Sequence, residues 1–324
     1  FTDGTKVNGK YRSIYLTGSH TWCNFSDCGN TNPPPPFDYV SYLDFLEENH
    51  HNFIRLWREE NTSGGVIDNF WFSIMPYQRT GPGTALDGGS KYDLTKFDQA
   101  YFDRLRERVI AARDRGIYVS VMLFNGWSVE SHVPDHNPWP GHPYHPSNNI
   151  NGINGHSNNN GQGDEVDTLQ NPAVLDLQES YVRKVIDTVN DLDNVLYEIS
   201  NESNMTQTSH EWQYHMVDFI KAYEADKAKQ HPVGLTVERF CINNGELFTS
   251  NADWVSPCFP VNNPEIADTR KVILADTDHP CGICGDLQWV WKSFTRGLNP
   301  LFMDPYSPVH HGTGAPEGYD PNNA

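Results

Sequence analysis

Basic residues are scarce in this 324-residue chain: 23 Lys and Arg stand against 42 Asp and Glu, a formal net charge of −19. A field of that sign repels phosphate backbones and anionic headgroups, so nucleic acid and membrane surfaces are poor partners, and polyanionic glycans are mildly disfavoured. Long apolar runs are also missing, since none approaches the ~18 residues that a membrane span needs. No internal repeat is visible, and no linker separates two domains. The 14 histidines form no His-x-His or His-Glu-x-x-His pattern. No metal site and no other cofactor is therefore expected.

Six cysteines are present, and four of them form two close pairs, Cys23/Cys28 and Cys281/Cys284. Such pairs suit disulfides in an oxidising compartment. A four-thiolate zinc site has compatible gaps, but disulfides agree better with a chain carrying 22 prolines and nine tryptophans. The first residue is Phe1 rather than Met, as in a chain whose leader has been removed. A secreted or periplasmic protein is expected. Asn24, Asn61, Asn201 and Asn204 stand in Asn-x-Ser/Thr sequons, which matter only in a eukaryotic secretory host.

Short apolar runs alternate with amphipathic segments along the chain. Strands are expected at 12–18, 52–57, 117–124, 194–204, 232–237, 252–257, 271–276 and 300–304. Between them, 37–50, 98–116, 171–191, 209–229 (Ser209 as cap) and 287–297 carry apolar residues three and four apart, the helical period. Eight strands in alternation with helices specify a single (β/α)8 barrel over 1–304. Helix signals are weak between strands five, six and seven. No closing helix follows strand eight, and 305–324 reads as an irregular tail. Two long loops, 58–96 and 126–170, follow strands two and three, on the face where barrel active sites lie.

Polar residues at the carboxyl ends of the strands are the candidates for chemistry. They are His20 and Trp22, Arg55 and Trp57, Asn125 and Trp127, Asn201 and Glu202, Glu238 and Arg239, Asp276, Asp278 and His279, and Asp304 and Tyr306. Strand alternation puts Leu196, Glu198 and Glu202 on one face, and Leu274, Asp276 and Asp278 on another. Two carboxylates facing each other across a barrel mouth are what glycoside hydrolysis requires: one protonates the leaving oxygen and the other attacks or activates water. Glu198 lies deeper and reads as a buried partner of Arg55 or Arg58. Trp22, Trp127 and Trp139 on loops are candidate platforms for a sugar's C–H face, and Trp291 reads as core.

The segment "LYEISNE" (196–202) resembles the strand-four motif of clan A glycoside hydrolases, "RKVILAD" (270–276) their strand-seven motif, and "IRLW" (54–57) their strand-two arginine segment. The stretches around "YLTGSHTW" and "DTDH" look like a branch near the cellulase-like and apiosidase-like enzymes. This resemblance implies Glu202 as acid/base, Asn201 as its companion at the sugar's 2-hydroxyl, and Arg55 as the arginine that holds the nucleophile's charge. The clan pattern has Glu at strand seven where this chain has Asp276, with Asp278 two places on. Asp276 is then the nucleophile or general base and Asp278 the substitute. The shorter side chain leaves both the retaining separation of ~5–5.5 Å and the inverting one of ~6.5–9.5 Å open. The expected substrate is a carbohydrate, with His20, Trp22, Asn125, Trp127, Glu238 and His279 as further binding residues. The alternative is a carbohydrate-binding or assembly protein that keeps the barrel without hydrolysis.

Overall fold

Eight parallel strands close a barrel: β1 (Gly18–His20), β2 (Phe53–Leu56), β3 (Tyr118–Asn125), β4 (Val195–Asn201), β5 (Val233–Thr236), β6 (Trp254–Ser256), β7 (Val272–Asp276) and β8 (Asn299–Met303). Each pairs with its neighbours in sequence, and β8 pairs with β1. The expected (β/α)8 architecture is therefore present. The structure is a computed structural model that describes residues 1–64, 69–131, 136–204, 206–238, 244–267, 270–304 and 306. Arg239, Cys241 and the expected helix-free tail at 307–324 lie outside the described residues.

The helices begin where a side-chain oxygen can accept a free first-turn N–H. Asp38 caps α1 (Tyr39–Glu48), Asp98 caps α2 (Gln99–Arg113), and Asn171 caps α3 (Pro172–Val189) with proline in the first turn. Thr206 caps α4 (Gln207–Glu224), not Ser209, which is buried in the first turn. Between β5 and β6 lies only the short α5 (Gly245–Thr249), in keeping with the weak signal there. A one-turn helix, α6 (Asp278–Cys281), follows β7 directly, and α7 (Leu287–Thr295) precedes β8.

Three expectations need correction. The run 12–18 is not one strand: Lys10–Ser13 pairs with Thr2–Val7 in an exposed N-terminal hairpin, and the barrel strand starts at Gly18. Trp291 is not core but 59% exposed, because Trp289 and Ser293 carry the inward face of α7. Trp139 is no platform but is buried within the loops.

Those loops are folded. Strand 71–73 pairs with 27–29, and 77–78 pairs with 93–97. Loop 58–96 and loop 126–170 share a core of Met75, Tyr77, Tyr92, Leu94, Val129, Trp139, Tyr144 and Val166. Gly163 is needed there, since a Cβ would stand 2.3 Å from the Trp139 ring. Disulfides join Cys23 to Cys28 and Cys281 to Cys284, and Cys258 is disulfide-bonded too. Asn24, Asn61 and Asn201 are buried, so three of the four sequons offer no acceptor in the folded protein.

Inside the barrel, Leu16, Phe53, Leu196, Trp254, Leu274 and Leu301 form a dry plug at the amino-terminal end of the strands. Trp254 is its largest side chain and is 1% exposed. Its replacement by alanine is expected to cost about 3–5 kcal/mol, the usual range for a large buried aromatic, read as a lowered urea midpoint at unchanged slope.

Candidate active site

Two residues above the plug, the inward positions turn from apolar to charged: Phe53 gives way to Arg55, Leu196 to Glu198, and Leu274 to Asp276. Arg55 is the centre of this layer. Its Nε donates to Glu198 Oε2 at 2.9 Å and its Nη2 to Glu198 Oε1. Nη1 donates to Asp276 Oδ2 at 2.9 Å and to Asp278 Oδ2 at 3.3 Å, and Nη2 to Asn201 Oδ1 at 2.8 Å. Ser120 Oγ donates to Glu198 at 3.3 Å. The guanidinium lies 4.9 Å from the Trp57 ring, which stacks on His20 with centroids 5.3 Å apart.

Asp276 is enclosed. Its side chain is fully buried, with Oδ2 on Arg55 and Oδ1 meeting His20 Nε2 at 3.0 Å and the Asp278 N–H at 2.9 Å. Burial opposes its charge, yet His20 and Arg55 outweigh that cost and hold its carboxyl well below the usual carboxylate range. Asp276, a sequence candidate for nucleophile or base, does not line the cleft: β7 ends there and the chain turns into α6. Asp278 opens that helix and reaches the cleft. Its pKa is pushed up to about 6, first by burial and then by the charge of Glu202.

The cleft encloses about 270 Å³ at the carboxyl ends of the strands. Trp22, Trp57, Phe70, Phe72 and Trp127 give it aromatic walls, Asn61, Asn125 and Asn201 its amides, and Glu59, Glu202 and Asp278 its acids. None of its described lining residues is Lys or Arg. Glu202 stands just beyond β4 with φ +42°, a left-handed conformation that non-glycine residues rarely adopt. Neighbouring Gly126 makes room for it: a Cβ there would lie 2.3 Å from the Glu202 carbonyl oxygen. Trp127 Nε1 donates to Glu202 Oε2.

One oxygen each of Glu202 and Asp278 and one ring nitrogen of His279 all lie within 4.8 Å of one another. His279 is buried behind the two acids. Burial works against its charge, but Glu202 at 3.9 Å and the Asp278 and Asp276 charges raise its pKa above the ordinary value. These three side chains are also the group, among the described residues, that could hold a cation.

Of the sequence-derived candidates, Trp22, Trp57, Asn125, Trp127, Asn201, Glu202 and Asp278 line the cleft. His20, Arg55, Asp276 and His279 lie beneath or behind it. Glu238 is elsewhere: buried against His210, with its pKa raised to about 8 by burial and the Glu246 charge, it does not line the cleft. Asp304 accepts the Tyr42 hydroxyl at 2.9 Å, and Tyr306 packs on Tyr42 and Phe45. Sequence reasoning missed Glu59, although Arg55, Trp57 and Glu59 follow the same alternation. Glu59 accepts from Trp57 Nε1 and from Asn125 Nδ2, each at 3.0 Å, and from Ser128 Oγ at 3.2 Å. Burial lifts its pKa to about 7 against these neutral donors.

A family model described as "Domain of unknown function (DUF6298)" matches residues 50–242, more than half of the chain. The chain belongs to this family. The DUF6298 match takes in Arg55, Glu59, Asn125, Trp127, Glu198 and Glu202, while His20, Asp276, Asp278 and His279 fall outside it. No curated protein matches the sequence. Solved structures do share the DUF6298 chain's fold. A Bacteroides vulgatus protein described as a candidate glycoside hydrolase matches with TM-score 0.58 and 13% identity over 94% of this chain. This chain spans about half, 53%, of that protein. An endo-β-1,4-mannanase from Thermotoga petrophila matches with TM-score 0.54 and 12% identity, covering 96% of this chain and 71% of its own. Endo-glycoceramidase II from Rhodococcus sp. matches with TM-score 0.54 and 14% identity, covering 92% and 76%.

The charged layer makes one substitution diagnostic. Arg55→Ala strands Glu198 and Asp276 without their cation and is expected to cost about 3–5 kcal/mol in chemical denaturation. The double variant Arg55→Ala/Glu198→Gln should recover part of that loss, since it removes one of the stranded charges.

Proposed function

We propose that this chain is a retaining glycoside hydrolase of the clan A type, acting on a neutral oligo- or polysaccharide. The observation that carries the reading is the pair of carboxylates, Glu202 and Asp278, with oxygens within 4.8 Å across an aromatic cleft. That approach suits the ~5–5.5 Å separation of retaining enzymes better than the ~6.5–9.5 Å of inverting ones. Asp278 takes the nucleophile's role, because Arg55 reaches it at 3.3 Å and stabilises its anion. Its oxygen forms a bond to the anomeric carbon as the glycosidic bond breaks, and Glu202 gives its proton to the leaving oxygen. Glu202 then takes a proton from water, whose oxygen displaces Asp278. Asp276 stands where the clan pattern has Glu and acts through Arg55, His20 and the Asp278 backbone.

Asn201, held by Arg55, and Glu59, held by three neutral donors, face the sugar as hydroxyl partners. Trp22 and Trp127 offer stacking faces. With three acids and no base on the described walls, uronates and sulfated sugars are disfavoured. The disulfides fit a secreted or periplasmic enzyme, and no described helix is long and apolar enough to cross a membrane.

The test is a screen of aryl glycosides and of polysaccharides, beginning with β-1,4-mannan and cellulosic substrates. Glu202→Gln and Asp278→Asn should each lower kcat by at least about 10²–10⁴-fold, and NMR of the first-formed sugar should show a retained anomer. Equal turnover by wild type and Glu202→Gln would remove Glu202 from the mechanism, and oligosaccharide binding without turnover would favour the non-hydrolytic alternative. EDTA should leave the rate unchanged; loss that a divalent ion restores would replace the mechanism with a metal-centred one.

The pH dependence follows from the raised pKa of Asp278. A carboxyl lifted to about 6 is protonated, and so unable to attack, below that value. The kcat/KM profile is expected to fall as pH drops through about 6, and the limb should vanish from the residual activity of Asp278→Asn.

A further inference from the structure

A second groove opens beside the cleft, between the proline-rich turn at Asn32–Pro34 and the folded loop 58–96, and encloses about 380 Å³. It adjoins the cleft. Phe72 lines both, and of two consecutive residues Asn61 belongs to the cleft and Thr62 to the groove. Trp71 lies half-buried in the groove wall on strand 71–73, whose pairing with 27–29 fixes it beside the Cys23–Cys28 disulfide.

The opposite wall is polar and rigid. Arg79 Nη1 donates to Asp87 Oδ1 at 3.0 Å and to the Ser90 carbonyl at 3.0 Å, while Nη2 donates to Asp87 Oδ2 and, at 2.5 Å, to the Tyr92 hydroxyl. Thr62 Oγ1 donates to Asp87 Oδ2 at 2.8 Å, and the guanidinium lies 4.1 Å from the Tyr92 ring centroid. This ion pair is held by neighbours on several sides and spends all four Nη hydrogens of Arg79 within the wall, which leaves the Arg79 Nε–H and the Tyr92 O–H to meet a ligand, fixed in direction before it arrives and so at lower cost. Its charges cancel. An indole and a neutral, pre-ordered hydrogen-bonding edge lining one groove match a sugar ring, with an apolar face and a hydroxylated edge.

We propose that this groove is a distal sugar subsite, receiving the units of a neutral oligosaccharide that leave the cleft over Phe72. Trp71 would be its stacking face and the Arg79–Asp87 pair its hydrogen-bonding wall. The proposal rests on the carbohydrate reading of the cleft, and it makes the substrate a chain that extends well beyond the scissile bond rather than a small glycoside.

Calorimetric titration of Glu202→Gln with cello- and manno-oligosaccharides of two to six units tests it, because binding is then read without turnover. Affinity should rise with length in one series. Adding Trp71→Ala should cut the ratio of six-unit to two-unit affinity about tenfold, and Trp71→Phe should restore much of it; thermal melts confirm that each variant is folded. Affinity that does not grow with length, an unchanged ratio in Trp71→Ala, or no binding in either series would overturn the subsite. The hydrolase reading fails separately, if wild-type protein turns over no glycoside while these titrations still show length-dependent binding.

Discussion

One guanidinium organises the upper half of this barrel. Arg55 is almost wholly buried and reaches Glu198 on β4, Asp276 on β7, Asp278 at the start of α6 and Asn201 at the end of β4. A buried ion cluster is weak evidence of stability, since the desolvation of its members offsets much of their attraction. What it does here is link the buried layer to the cleft: the guanidinium that holds Glu198 and Asp276 also holds Asn201 and Asp278, which line the cleft.

Three carboxylates share this cation, and the charge is not divided evenly. Glu198 has the bidentate contact and a serine hydroxyl, Asp276 has Arg55, His20 and a backbone N–H, and Asp278 has the longer Arg55 contact at 3.3 Å and His279 at 3.9 Å. The deficit falls on the one acid of the three that reaches the cleft. Burial and the Glu202 charge raise the pKa of Asp278, while His20 and Arg55 hold that of Asp276 down. Asp276 stays ionised, and the acid that lines the cleft is the one whose pKa lies at about 6.

Strand alternation carried the sequence reading a long way. Phe53, Leu196 and Leu274 enter the plug, and Arg55, Glu198 and Asp276 enter the charged layer, as period two requires. The same rule reaches Trp57 and Glu59, but Glu59 is hidden between Arg58 and Glu60 in a run of charges that reads as solvated loop. The tryptophans were misread for a related reason. Exposure of Trp291 depends on which face of α7 meets β8, and burial of Trp139 on Gly155 and Gly163 packing against its ring. Neither follows from local pattern, because loop 126–170 gets its core from loop 58–96.

The two long loops therefore act as a second small fold placed on the barrel's mouth. Their shared core holds strand 71–73 in position, and with it Phe72 at the ridge between cleft and groove. A barrel alone supplies reacting groups at its centre, where all eight strands converge, but little length of binding surface. Length has to come from what is added beyond the strand ends. Here the addition is stiffened by its own buried aromatics and by the Arg79–Asp87 pair. A mobile loop would have to be ordered by each substrate molecule it bound, at a cost in affinity, whereas this one presents its surface already formed.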